Sequence, residues 1–250
     1  MKGERENAGK MKKYLGKLLS LLMVLVMVVS VWGSIAVSAD EEYTWWDFYH
    51  TTTDKVKTFA GENGNSIIAN CYYERLVLVG LQKGIKKINK TLKKCVKKLD
   101  YKSLYAIAEE DVKDGRGNEI YNDNFKQEVH SYGTDYVSII ENRYWWAGGV
   151  SNSFTQGYTF DLNTGKLLKP GKITGLSYKE IKEKYKKALK DDPDFRGMDF
   201  DIDKYVDGIK EADFNYYING DEFVAVMAPY TYYGGWARTF VLDGVTIKYK

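Results

Sequence analysis

Cysteine, histidine and proline are all scarce in this chain, at two, two and three residues among 250. Two cysteines cannot make a disulfide framework, and without a Cys-x-x-Cys pair there is no thiol redox motif. His50 and His130 are too far apart for a local metal-ligand spacing, and no zinc-type Cys or Glu pattern surrounds either. No metal or cofactor is therefore expected. A Gly-x-Ser-x-Gly elbow and a Gly-rich phosphate loop are both missing, so the chain is not expected to be an enzyme. The surviving enzymatic alternative is a hydrolase with paired surface carboxylates, which is decided by distances in space. Asp199-Phe-Asp201-Ile-Asp203 has the opening spacing of a calcium loop, but Lys204 and Lys210 stand where that loop wants Gly and Glu. The other reading of these acids is the negatively charged start of a helix. No Ser/Gly/Pro linker, repeat or low-complexity tract divides the chain.

Charge is unevenly placed. Lys10, Lys12, Lys13 and Lys17 precede a run from Leu18 to Val37 without a charged side chain. Val37-Ser38-Ala39 then offers the small residues that a signal peptidase reads. Residues 1–39 are thus expected to be a signal peptide cut after Ala39. The alternative is a retained anchor, since a run of about twenty residues can span a bilayer. Either way the chain from Asp40 onward is expected to be secreted or associated with the cell envelope, touching the membrane only if the leader is uncleaved. Residues 1–39 hold six of the 37 Lys and Arg and two of the 34 Asp and Glu, which leaves 31 against 32. That balance gives no reason to expect a nucleic-acid partner.

What the chain has in quantity is aromatic residues, with 21 Tyr and six Trp. These suit pleated, half-buried surfaces. Residues 40–65 are an N-terminal arm in which Trp45, Trp46, Phe48 and Tyr49 make either a docking arm or a first strand. Residues 66–250 are expected to be one extracellular domain. Strands are expected over 66–79, 102–109, 120–131, 136–146 and 158–168, the last across an Asn163-Thr164-Gly165 turn. Hairpins are expected around Asn219-Gly220 and Asp243-Gly244. Leu81, Ile85, Ile88, Leu92, Cys95 and Leu99 make an apolar stripe on a helix over about 82–99, with lysines elsewhere on it. Those lysines are a solvated face, or a surface for an anionic wall polymer or acidic protein. Later helices are expected over about 178–190, opened by a Ser177/Glu180 capping box, and about 200–210. Runs of each type rather than strict alternation indicate an α+β fold with a mainly antiparallel sheet and the helices packed on it.

Cys71 falls in a strand and Cys95 on the apolar stripe of the first helix. A disulfide between them would close a loop of about 25 residues and add roughly 3 kcal/mol. The alternative is two buried thiols acting as small hydrophobes. Trp145 and Trp146 precede Ala147-Gly148-Gly149, and Tyr230, Tyr232 and Tyr233 precede Gly234-Gly235-Trp236. Rings beside Cβ-free backbone can stack on sugars or anchor a protein partner. These six aromatics are the candidate ligand-binding residues, with core packing the competing role for each ring. Because neighbours on a strand face opposite ways, one of Trp145 and Trp146 should be core and the other at a binding face.

Arg143-Tyr-Trp-Trp-Ala-Gly-Gly149, followed by Tyr158-Thr-Phe-Asp-Leu-Asn-Thr-Gly-Lys166, resembles a family pattern of a Tyr-rich strand, a Gly-Gly bend and Tyr-x-Phe-Asp-Leu-x-Thr-Gly-Lys. The family is the extracellular domain found next to bacterial peptidoglycan deacetylases and in a lysozyme-sensing anti-sigma factor. Asn215 to Val224, Ala228-Pro229-Tyr230 with Gly234-Gly235, and Lys87-Ile88-Asn89 resemble further parts of it. Val150-Ser151-Asn152 stand where the family usually has Ala-His-Gly. The resemblance implies an α+β, non-catalytic, extracellular module that binds a lysozyme-like protein. The aromatics offer a second reading, a peptidoglycan- or glycan-binding protein.

Overall fold

The computed structural model describes residues 45–232 and 234–249, so the expected leader lies outside the described residues. Strands β1 (Trp46–Ala60) and β2 (Ser66–Gly80) form a long antiparallel hairpin. Of the two alternatives for the Trp45–Tyr49 region, the structure has the strand. The chain then makes helices α1 (Ile85–Lys97) and α2 (Tyr101–Lys113) before β3 (Glu119–Tyr132). β3 lies parallel to β2, and the two helices are the crossover that a parallel pair requires. β4 (Tyr136–Ala147) and β5 (Val150–Asp161) follow antiparallel, giving the sheet order β1-β2-β3-β4-β5. The architecture is α+β with a mostly antiparallel five-stranded sheet.

The expected strand over 102–109 is a helix. Asp100 caps it, accepting from the Lys102 N–H at 3.1 Å and from the Ser103 hydroxyl at 2.9 Å. Leu104, Ala108 and Val112 then recur every four residues and bury against the sheet. The strand expected from Tyr158 starts instead at Val150. Gly148 and Gly149, with φ of 57° and 83°, make a two-residue turn that pairs Ala147 with Val150. Beyond β5, Asp161 accepts from the N–H groups of Asn163 and Thr164 at 2.9 and 2.7 Å. A Cβ on Gly165 would sit 2.5 Å from the Gly84 carbonyl oxygen, so this turn locks the start of α1. Only Phe160 and Leu167 pair across it, so residues 166–168 add a bridge rather than a strand.

The second half of the chain makes α3 (Pro170–Thr174), α4 (Tyr178–Asp191) and α5 (Ile202–Gly208). The Ser177/Glu180 capping box is present. Of the calcium-spaced acids, Asp201 caps α5 and Asp203 pairs with Lys190. Strands β6 (Tyr216–Asn219), β7 (Glu222–Met227) and β8 (Arg238–Val241) form a second antiparallel sheet. Residues 245–249 were expected to pair with 237–242 as a hairpin. They run to α3 instead, where Lys248 and Tyr249 both donate to the Ile173 carbonyl.

Strand alternation sorts the side chains into layers. One face of the large sheet carries Ala69, Cys71, Tyr121 and Phe125 under α2, and Val137, Ile139 and Phe160 under α1. On its other face Ile140 packs against Tyr217, Val224 and Val226 of the small sheet. The far side of the small sheet, with Ile218, Phe223 and Ala225, closes over Ile181, Tyr185 and Leu189 of α4. The two sheets also touch closely through their backbones. The Ile218 N–H donates to the Ser138 hydroxyl at 2.7 Å, and a Cβ on Gly157 would overlap the Tyr216 carbonyl. Among the described residues no helix is long and apolar enough to cross a membrane.

Candidate functional site

The small sheet covers β4 and β5 near Ser138, Ile140 and Gly157. Their other ends, from Glu141 to Trp145 and from Asn152 to Gln156, line a cleft on each face of the sheet.

On the helix-covered face, α1 covers the Tyr158–Phe160 end of β5 but leaves Asn152 to Gln156 uncovered, and a cleft of about 690 Å³ opens there. Glu141, Arg143 and Trp145 point into it from alternate positions of β4. Gln156 and Phe154 stand opposite the first two on β5. Cys95 and Lys98 form one rim, and Pro229 and Tyr230 the other. The floor is a chain of paired polar groups. Arg143 holds the fully buried Asp123 through two bonds, Nε to Oδ1 at 2.6 Å and Nη2 to Oδ2 at 2.8 Å, and the Tyr73 hydroxyl donates to Oδ2 at 2.8 Å. Gln127 Nε2 donates to the Glu141 carboxylate at 3.0 Å, and Gln127 Oε1 accepts from the Leu76 N–H. Burial raises the Glu141 pKa above the usual carboxylate range, opposed by the Gln127 hydrogen bond. Burial also pushes the Cys95 thiol up, and its sulfur lies 3.5 Å from the Tyr158 hydroxyl. The cleft thus offers one protonatable carboxyl, amide and guanidinium donors, and rings from Trp145, Phe154 and Tyr230.

On the opposite face the register sets Asp54, Tyr72, Asn124, Tyr144 and Ser153 in one row across all five strands. Asn142 and Thr155 belong to the next row, joined by a 2.9 Å hydrogen bond. These residues line a shallower cleft of about 580 Å³. Trp236 lies 6.1 Å from Tyr144, ring to ring.

One loop serves both faces. Gly235 accepts from the Ser153 N–H at 2.6 Å, and the Ala237 N–H donates back to Ser153 at 3.1 Å, so residues 235–237 extend the β5 edge. A Cβ on Gly235 would overlap the Asn152 side chain, which is why glycine stands there. Tyr230, with φ of 59°, reaches the helix-side cleft and bonds Asn152 through its hydroxyl, whereas Trp236 goes to the other face.

The structure therefore divides the six aromatic candidates. Trp145 and Tyr230 meet in the helix-side cleft, and Trp236 stands beside Tyr144 across the sheet. Trp146 packs edge-on against buried Tyr121 at 5.5 Å. Tyr232 packs on Phe200 and Phe195 in the second core. Tyr233 lies outside the described residues. Cys71 and Cys95 are both free thiols, so the bridge between them is not formed. Cys71 is sealed in the core under α2, with burial pushing its pKa up to about 11, while Cys95 turns toward Tyr158. Glu141, Gln156 and Tyr144 were not singled out from sequence. Glu141 and Arg143 did leave a signal, since they continue the alternation of core residues Val137 and Ile139, which puts charge on an inward face.

No family model matches the sequence, and no curated protein matches it. Among solved structures the chain is similar to a member of the DUF3298 family from Bacteroides fragilis, at 12% identity and a TM-score of 0.47, covering 78% of this chain and 89% of that one. It is also similar to a DUF3298 family protein from Pseudomonas aeruginosa, at 11% identity and a TM-score of 0.42, covering 80% of this chain and 95% of that one. The structural neighbours of this α+β chain are thus DUF3298 family proteins.

Proposed function

We propose that this chain is an exported, non-catalytic binding module of the bacterial cell envelope that holds a wall glycan in the helix-side cleft. The observation that carries this reading is the meeting of Trp145 and Tyr230 with Glu141 and Gln156 in one cavity. Rings that cover a sugar face, beside a few fixed carboxyl and amide groups, are the composition that orients a polyhydroxyl ligand. Supporting binding over hydrolysis, Glu141 is the only carboxylate among the described residues lining the cleft, and the nearby Asp123 is tied up by Arg143 and Tyr73. Retention on insoluble peptidoglycan tests the reading. Trp145→Ala and Tyr230→Ala are each expected to lower retention about tenfold, as loss of an anchoring ring does at a binding hot spot. Retention equal to wild type in both variants would sink it.

A protein partner of the lysozyme type is the second reading. It is favoured by exposed rings at the far end of the sheet, where Trp45 and Tyr49 are each 52% exposed and Tyr132 is 65% exposed. Capture on immobilised c-type lysozyme, lost on Tyr49→Ser with Tyr132→Ser and unaffected by Trp145→Ala, would replace the glycan reading with this one.

A further inference from the structure

Helix α1 carries Lys86, Lys87, Lys90, Lys93, Lys94 and Lys97, and no Asp or Glu occurs between Glu74 and Asp100. At about 100° per residue these lysines fall within roughly 120° of the helix circumference. The opposite side, with Ile85, Ile88 and Leu92, is buried. Among the described residues none of the six lysine ammonium groups has a hydrogen-bond or ion-pair partner. Helix α4 is the contrast. There Lys186 meets Glu183 and Asp207, Lys187 meets Asp191, and Lys190 meets Asp203.

The strip works against its own helix. Lys86 and Lys90, Lys90 and Lys94, and Lys93 and Lys97 repel at a spacing of four residues, and Lys86 and Lys87 sit at the positive end of the helix dipole. Nor is it spill-over from a basic molecule, because residues 40–250 are near neutral. Yet it is held in place. Asn89 accepts from the Leu78 N–H at 2.8 Å and donates to the Leu78 carbonyl at 2.7 Å, which pins α1 to β2. A fixed, uncompensated row of positive charge is complementary to a row of negative charge.

We propose that α1 is a docking strip for a linear polyanion bearing phosphate charges. The strip spans about 16 Å from Lys86 to Lys97 at 1.5 Å per residue. It contains no arginine, and lysines act as compact point charges suited to phosphate without planar matching. A lipid surface fits less well, because the apolar side that would insert is spent on the core. The site is separate from the glycan cleft and does not depend on that reading.

Anisotropy of labelled inorganic polyphosphate with purified protein tests this, alongside cosedimentation with vesicles of anionic phospholipid. Polyphosphate binding is expected to weaken steeply with added salt. The variant K86Q/K90Q/K93Q/K97Q should weaken it at least tenfold at low salt with an unchanged circular-dichroism spectrum. The α4 variant K182Q/K186Q/K187Q/K190Q should bind as wild type. Equal losses in the two variants, no loss in the first, or binding to vesicles without binding to polyphosphate would each overturn the proposal.

Discussion

Arg143 decides whether the cleft floor is stable. Its guanidinium is 34% exposed, but the carboxylate it holds is fully buried. Removing the cation leaves Asp123 with Tyr73 alone, and an uncompensated buried charge costs about 3 kcal/mol or more. Arg143→Ala is therefore expected to lower the unfolding free energy from chemical denaturation by that much, whereas an exposed control such as Lys166→Ala should move it little. Glu141 answers differently. Burial holds its proton more tightly in the folded chain than in the unfolded one. The stability tied to that proton is fully present below the ordinary carboxylate range and is lost as pH rises through the raised value. Glu141→Gln keeps the neutral form at every pH. Its midpoint should exceed wild type near about pH 7 and the gap should close toward about pH 4. A constant gap would show that the proton is not involved. These residues were partly legible in the sequence, because a charge at the core parity of a strand must find a partner. The partner was not legible, since Asp123 and Gln127 reach β4 only through the β3–β4 register.

Among the elements, α1, α4 and α5 could be read from their periodicity, and α2 and the five-residue α3 could not. In residues 102–109 the stripe is carried by small Ala108 as much as by Leu104, while Tyr105 and Ile107 suggest a strand. The deciding feature was the Asp100 cap, two residues before that window. The parallel pairing of β2 and β3 was equally hidden, because alternation within a strand does not say which way its neighbour runs. The lysines of α1 do lead to an expectation at this scale. Three repulsive pairs at about 0.2–0.5 kcal/mol each should cost the helix about 1 kcal/mol. Lys90→Glu turns two of them into attractive ones, so it is expected to raise the thermal midpoint by a few degrees in low salt. The advantage should shrink at about 1 M salt, where the screening length is about 3 Å. A variant no more stable than wild type in low salt would show that the row is already neutralised.

Across the whole molecule, β4 joins everything. Tyr136 packs in the second core, Val137 and Ile139 under α1, and Ile140 between the sheets. Trp45, Trp46, Trp145, Trp146 and Trp236 all lie outside the second core, whose members include Tyr185 and Phe223. Tryptophan emission therefore reports the large sheet and its edge, while helical circular dichroism reports both halves. Ile140→Ala, at a cost of about 2–4 kcal/mol, should shift both signals together if β4 couples the halves, and separate transitions would refute the coupling. Fold class was legible at this scale from the grouping of strands and helices. The clefts were not, because they depend on where the small sheet ends and on α1 leaving Asn152 to Gln156 of β5 uncovered.

The parallel seam between β2 and β3 has a kinetic meaning. On either side of it, pairing is between chain neighbours, β1 with β2, β3 with β4 and β4 with β5, and such hairpins close within microseconds. The seam itself runs from Ile67 to Glu74 against Glu119 to Lys126. Its two strands are separated in the chain by α1 and α2, so the intervening crossover must turn the chain back before it can zip. Closing that long loop is the entropic bottleneck expected of non-local pairing. A chain emerging N-terminus first would thus hold a finished hairpin whose β2 edge stays open, like its β1 edge, until β3 arrives, and that interval is when it is most exposed to pairing with the wrong strand.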